Sequence, residues 1–174
     1  MMQFDNTIVK TRYQSPLGTM TLAATHTGLA GVWFDGQRHM PVALATPPCW
    51  PVDALHPVLQ KTALQLDEYF ASQRSDFDIE LDLSSGTAFQ QAVWRALLHI
   101  APGQTTSYGS ISKAIGNAAA VRAVGAAVGR NPISIIVPCH RVLGSDGSLT
   151  GYAGGLEKKT ALLRLEGAIA ETLI

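Results

Sequence analysis

Asn131-Pro132-Ile133-Ser134-Ile135-Ile136-Val137-Pro138-Cys139-His140-Arg141-Val142 is the stretch on which the reading of this 174-residue chain turns. Ile133 to Val137 is apolar and β-branched, and predicts a short strand. Pro138 fixes its own φ and holds Val137 extended. A thiol, an imidazole and a guanidinium then follow in succession. A free cysteine ionises near ~8.5, and adjacent cations or a helix N-terminus lower that value and raise the thiolate fraction. A cysteine is equally a small buried hydrophobe, but the polar flank of Cys139 favours the reactive reading. Neighbouring side chains on an extended segment point to opposite sides, so His140 is expected to reach Cys139 through a bridging water. A carboxylate would orient the imidazole, and Glu166, at the end of the last predicted helix, is the candidate; a solvated helix end is its alternative.

Upstream lies a pair of short helices. Ser107 caps one that runs to Gly116, with Tyr108 at its start. Asn117 is placed to cap a second, with Val121, Val124, Gly125 and Val128 on its buried face and Arg122 opposite. Two such helices about a Gly-Asn turn read as a helix-turn-helix. Arg122 is then either a solvated arginine or a side chain that reaches phosphates or a groove. Ala118, Ala119, Ala120, Ala123, Ala126 and Ala127 leave the second helix low, which suits a nucleic-acid groove and suits tight helix packing equally. Phe89, Val93, Leu97 and Ile100 form an earlier helical stripe that stops at Pro102-Gly103. Downstream, the glycines between 144 and 155 mark a loop or wing without a phosphate-loop Gly-Lys-Ser/Thr. Leu156 to Leu165 closes as a helix, with Gly167 beyond it.

The N-terminal half reads differently. Met20, Leu22 and Ala24, then Leu29, Gly31 and Trp33, alternate about His26-Thr27-Gly28 as a hairpin preceded by the turn Ser15-Pro16-Leu17-Gly18. Arg38 to Asp53 is a Pro-rich loop holding Cys49. Pro57 opens a helix with Leu59, Ala63, Leu66 and Phe70 on one stripe. Phe77 to Leu83 predicts a strand with one acidic, wet face, and Ser84-Ser85-Gly86 a linker.

Hydrophobic residues make up 47% and charged residues 15%, an ordinary balance with enough apolar side chain for a core. No apolar run is long enough to span a membrane, and the N-terminus lacks a secretory pattern, so a cytoplasmic protein is expected. Two cysteines cannot build a disulfide framework or a four-thiolate zinc site, and His26, His39, His56 and His99 are unclustered, so no metal is expected. The zero net charge conceals an asymmetry. Up to Gly86 there are five basic and nine acidic residues; from Thr87 there are eight and four. A basic half is compatible with a polyanion partner and with chance scatter.

Arg122-Ala123-Val124-Gly125, Asn131-Pro132-Ile133 and Ile136-Val137-Pro138-Cys139-His140-Arg141-Val142 together resemble the signature of the O6-alkylguanine-DNA alkyltransferases. Phe89-Gln90 with Val93-Trp94, Ser107-Tyr108-Gly109, Gly151-Tyr152 with Gly154-Gly155, and Leu162-Leu163 with Glu166-Gly167 fit the same family at its spacing. The match is strong from about Thr87 to Gly167 and weak before it. The resemblance implies an α+β chain: an N-terminal RNase-H-like α/β domain (1–84) and a mostly α C-terminal domain with a winged helix-turn-helix (85–174). It implies single-turnover transfer of an alkyl group from O6-alkylguanine, with O4-alkylthymine left open as a second substrate, in double-stranded DNA to a cysteine after nucleotide flipping, with no cofactor. By motif, Cys139 resembles the acceptor, His140 and Glu166 its relay, and Tyr108 the residue that rotates the nucleotide and donates a proton. Arg122 resembles the finger that fills the stack, and Ser107, Ala123, Gly125 and Asn131 the remaining DNA-binding positions, Asn131 at a hinge. Tyr152, Ala153, Val142 and Pro138 resemble the pocket. Ala153 stands where many members have a serine. The resemblance further implies minor-groove binding, a nucleoid-associated location and a monomer in solution, with cooperative binding along DNA left open. Two other readings are a non-catalytic binder of alkylated DNA, against which Cys139 argues, and a cysteine hydrolase, for which adjacent Cys and His are poorly placed.

Overall fold

The computed structural model describes residues 2–170; Met1 and residues 171–174, the outermost ends of the two expected domains, lie outside it. Three antiparallel strands, β1 (Val9–Ser15), β2 (Gly18–Ala24) and β3 (Leu29–Phe34), lie in sequence order. The Ser15–Gly18 turn is closed by Ser15 Oγ, which donates to the Gly18 carbonyl at 2.6 Å and accepts from Leu17 N at 3.1 Å. The expected hairpin is therefore β2–β3, and β1 extends it through a register that pairs Ser15 with Gly18. All of β3 is buried. α1 (Pro57–Phe70) has proline in its first turn and His56 as its cap, the ring accepting from Val58 N. It lays Leu59, Leu66 and Tyr69 against the sheet.

Two expected strands fail to form as such. Phe77 to Leu83 contributes one bridge, Leu81 to Leu29, with Leu29 N donating to Glu80 O and Asp82 N to Leu29 O, both at 2.8 Å. Its acidic face is not all wet. Asp82 is buried and accepts the Thr25 hydroxyl at 2.5 Å. Ile133 to Val137 likewise touches β3 only once, through Val32 N to Pro132 O and Ser134 N to Val32 O. It then coils, with Val137 N donating to Ile133 O and Ile135 at φ +72°. The physical reason is Asn131. Its side-chain oxygen accepts from Ile133 N at 2.9 Å, and its amide donates to Val137 O at 2.8 Å and Ile133 O at 3.3 Å. Backbone groups that a strand would offer to neighbours are consumed locally.

In the C-terminal half, α2 (Ala88–Leu97) opens with a Thr87–Gln90 capping box. Its buried Trp94 donates to Ala127 O at 2.9 Å. The predicted linker is a tight turn rather than an open tether: Gly86 N donates to Leu83 O, and a Cβ on Gly86 would lie 2.3 Å from the Trp94 ring. β4 (Thr106–Ser107) leads into α3 (Tyr108–Ala114), capped by Ser107 as expected, and α4 (Val121–Gly129) follows. α4 starts later than the sequence suggests. Its cap is Ala120, without a side-chain bond, and Asn117 instead closes a turn through Ala120 N. Val121 is consequently 40% exposed, while Val124 and Val128 are buried. β5 (Val142–Leu143) pairs in parallel with β4, and α5 (Leu156–Leu165) is the last element among the described residues, with Gly167 at φ +74° beyond it. The result is a mixed α+β fold. Among the described residues no helix is long and apolar enough to cross a membrane.

Candidate active site

Cys139, His140 and Arg141 form a single 3₁₀ turn, not the extended segment expected. Val137 and Pro138 deliver this turn from the Asn131-braced loop, and Cys139 is 6% exposed at the wall of a cavity of about 280 Å³. Tyr108 from α3, Gly125 from α4, and Tyr152 and Ala153 from the glycine-rich loop line the same cavity. Val142 is buried and does not line it, and Pro138 lines a separate cavity. Arg122 and Ala123 are exposed on α4 and do not line it. Among the expected residues, then, the cavity gathers Cys139, Tyr108, Gly125, Tyr152 and Ala153.

The ionisation expected for Cys139 is reversed. Burial pushes the thiol up, and the Lys159 charge opposes this only in part. Arg141 lends no help because its guanidinium is committed elsewhere. Its Nε donates to Glu166 Oε2 and its Nη2 to Glu166 Oε1, both at 2.9 Å, and its Nη1 to Ile100 O at 2.6 Å. Glu166 is no solvated helix end. Its side chain is 3% exposed and meets His140 Nε2 at 2.7 Å. Burial alone would raise this carboxyl, but the hydrogen bonds from His140 and Arg141, with the Arg141 charge, outweigh it and hold Glu166 down at about 2. His140 is displaced downward, first by its complete burial, against the pull of Glu166. A neutral imidazole beside an ionised carboxylate must donate from Nε2, which leaves the lone pair on Nδ1. Nδ1 is buried and has no hydrogen-bond partner among the described residues.

Four further residues shape the site and escaped the sequence reading. Lys159 on α5 is fully buried, and its ammonium donates to Val142 O, Thr150 O and Gly151 O at 2.6, 2.9 and 3.1 Å. It clips both ends of the 142–151 loop together. Burial lowers it to about 8, with the Cys139 charge acting in the opposite direction. A signal was present: Lys159 shares a helical face with the buried Leu162 and Leu163. Arg38, His39 and Arg130 also line the cavity, and Arg38 N donates to Ala153 O at 3.0 Å. Arg38 and His39 come from a loop that no local pattern places there. The Tyr108 hydroxyl donates to Thr150 O at 3.1 Å, and burial raises its ionisation above the ordinary phenol value.

Comparisons with known proteins agree on one family. The DNA-binding-domain model of the 6-O-methylguanine DNA methyltransferases matches residues 88–168, and their ribonuclease-like-domain model matches residues 8–83. A methylated-DNA–protein-cysteine methyltransferase of Methanosarcina acetivorans is 46% identical over 157 residues, covering 90% of this chain and 96% of that one. One of the same name from Mycobacterium tuberculosis is 48% identical over 152 residues, covering 87% and 88%. The crystal structure of the Mycobacterium tuberculosis O6-methylguanine methyltransferase superposes with a TM-score of 0.81 at 45% identity, over 94% of this chain and 95% of that one. The Mycobacterium tuberculosis OGT in complex with DNA superposes at 0.79 and 45% identity, over 92% of each chain. With both halves matched and its cysteine turn braced as described, this chain belongs to the 6-O-methylguanine DNA methyltransferase family.

Proposed function

We propose that this protein repairs DNA directly, moving an alkyl group from the O6 of guanine onto the Cys139 sulfur. The observation that carries the reading is the nucleophile's setting: a thiol at the wall of a cavity flanked by Tyr108 and Tyr152, backed by a buried His140–Glu166 pair. DNA is the partner, in keeping with the matched DNA-binding domain.

The chemistry follows from the charges. Cys139 is a thiol and His140 a neutral base, so the sulfur proton passes to Nδ1, through a bridging water, as the sulfur attacks. The S–C bond forms while the C–O6 bond breaks, and the electron pair leaves on guanine. Tyr108 is assigned to protonate the departing base, which requires its hydroxyl to leave the Thr150 carbonyl. The thioether has no route back to thiolate, so each chain acts once. The target atom lies inside the duplex, so the nucleotide must be extruded, at a cost of a few kcal/mol. Arg122 and Ala123, exposed on α4, take the stack and groove, Ser107 and Gly125 the approach to the cavity, and Asn131 holds α4 to the cysteine loop. Tyr152 and Ala153 receive the base, with Val142 and Pro138 supporting the loop behind the sulfur. We further assign the division at 84/85, minor-groove binding, monomeric action and a place on the nucleoid.

Incubation with duplex DNA containing O6-methylguanine, followed by intact-mass and peptide analysis, tests the reading. One methyl group per chain, on Cys139, is expected, with Cys139→Ser binding DNA but transferring nothing. Repeated turnover, or label on Cys49, overturns it.

A further inference from the structure

Glu166 Oε1 accepts a third donor that does not belong to the C-terminal half. The hydroxyl of Tyr69, on α1, lies 2.7 Å from it. Tyr69 is 2% exposed, the Glu166 side chain 3% and the His140 side chain 0%, so the contact is buried, with a surface cavity beside it. The ring is fixed by edge packing on Phe70 and tilted packing on Phe77. A phenol beside a carboxylate donates, and burial together with the Glu166 charge keeps the phenol from ionising. We infer that Tyr69 is a positioning residue for alkyl transfer: its hydroxyl fixes Glu166 Oε1, and through it the imidazole of His140, with Nδ1 free to take the proton from Cys139. The inference rests on the function proposed above.

The groups that face this carboxylate are few. Tyr69 approaches from α1, and His140 and Arg141 from the 3₁₀ turn. Tyr152 and Lys159 add charge effects on Tyr69 and His140 respectively, and Arg74 borders the outer cavity beside Tyr69 while paired with Glu68. Arg141 neutralises the charge of Glu166. What Tyr69 contributes is different: it occupies a lone pair on the same oxygen that His140 uses. Each donor on an acceptor lessens that oxygen's pull on the others, so Tyr69 limits how strongly Glu166 draws on the Nε2 proton. Without it the imidazole becomes more basic and Nδ1 is protonated at higher pH, where it can no longer accept.

The test is the pH–rate profile of alkyl transfer from free O6-benzylguanine by wild type, Tyr69→Phe, Glu166→Gln and the double variant. Phe keeps the ring and its packing. Tyr69→Phe is expected to move the acid limb up by about half a pH unit and to slow transfer roughly ten-fold, while DNA affinity stays at the wild-type value. Because Tyr69 acts through Glu166, Tyr69→Phe in the Glu166→Gln background is expected to add nothing. Superimposable profiles for wild type and Tyr69→Phe, or losses that add in the double variant, overturn the inference and leave alkyl transfer to Cys139 standing. No transfer by wild type overturns both. Should Tyr69→Phe fail to fold, the wild type carries the test by NMR: His140 as the Nε2–H tautomer and a Tyr69 hydroxyl protected from exchange support the inference, and an Nδ1–H tautomer or a freely exchanging hydroxyl overturns it.

Discussion

Tyr108 and Lys159 donate to one and the same acceptor, the carbonyl oxygen of Thr150, at 3.1 and 2.9 Å. A side chain assigned to the chemistry and a buried ammonium thus hold the same point of the 142–151 loop. Lys159→Met removes the clip while keeping an apolar stem. Val142 O and Gly151 O lose the ammonium, while Thr150 O keeps the Tyr108 hydroxyl, and the loss is expected to cost roughly 1–3 kcal/mol of stability. Transfer should slow at least about ten-fold, because Tyr152 and Ala153 follow the loop, and the amides of 142–151 should lose exchange protection. Wild-type transfer by Lys159→Met would reduce the residue to packing.

The two tasks of Tyr108 separate by substitution. Tyr108→Phe loses the proton donor and keeps the ring; general-acid donation contributes roughly 10²–10⁴-fold, so transfer should fall within that range even from free base. Tyr108→Ala should add a loss seen only on duplex DNA. Full activity of the Phe variant on both substrates would leave protonation of the base to water.

Arg122 is exposed on α4 and stands outside the cavity. Arg122→Ala should therefore weaken repair in duplex DNA by about ten-fold or more, while transfer from free O6-benzylguanine is unchanged. Equal losses on both substrates would make Arg122 structural.

Acid should unfold this protein through its relay. Glu166 ionises at about 2 when folded, below the ordinary ~4.3 of an unfolded chain. A depressed carboxyl stabilises the fold above the unfolded value and loses that contribution as pH falls toward the folded one; here it is about 3 kcal/mol, lost between roughly pH 5 and 2. His140 acts with the same sign, being held neutral when folded, so the loss begins near ~6.5. Glu166→Gln should remove the carboxyl part of this slope. It should also cost about 3–5 kcal/mol at pH 7, because Arg141 keeps a buried charge without its partner. Urea unfolding from pH 7 to 3 measures both.

Much of this architecture could be read locally, and the failures share a cause. Ser107 and the β2–β3 hairpin follow from neighbours in sequence and stand where they were placed; the α1 stripe holds at Leu59 and Leu66, while Ala63 and Phe70 are half-buried and Thr62, Gln65 and Tyr69 complete the buried face. Ile133 to Val137 has the composition of a strand, yet one side chain, Asn131, outbids the sheet for its backbone groups. Cys139 and Glu166 could be named as candidates from their local chemistry, but only the family motifs joined them into one site. Nothing local distinguishes a buried Glu166 from a solvated helix end, because the difference lies in Arg141, 25 residues away. Arg38 and Tyr69 were beyond any motif, since the sheet and α1 carry them to the cavity and the carboxylate across 115 and 97 positions of chain.

The bridge between Val32 and Ile133 gives the nucleophile's loop an anchor outside the half that contains it. Mechanically, that loop is a spur of the N-terminal sheet. A ribosome that has released only the first half has made an edge whose mate does not yet exist, and the reactive turn acquires its shape when the later half arrives. Splitting the chain at the turn before α2 would strand Val32 N and Ser134 N without their mates. Coexpressed fragments are therefore expected to regain a reactive Cys139 only as they associate, so that complementation and thiol reactivity rise on a single concentration curve.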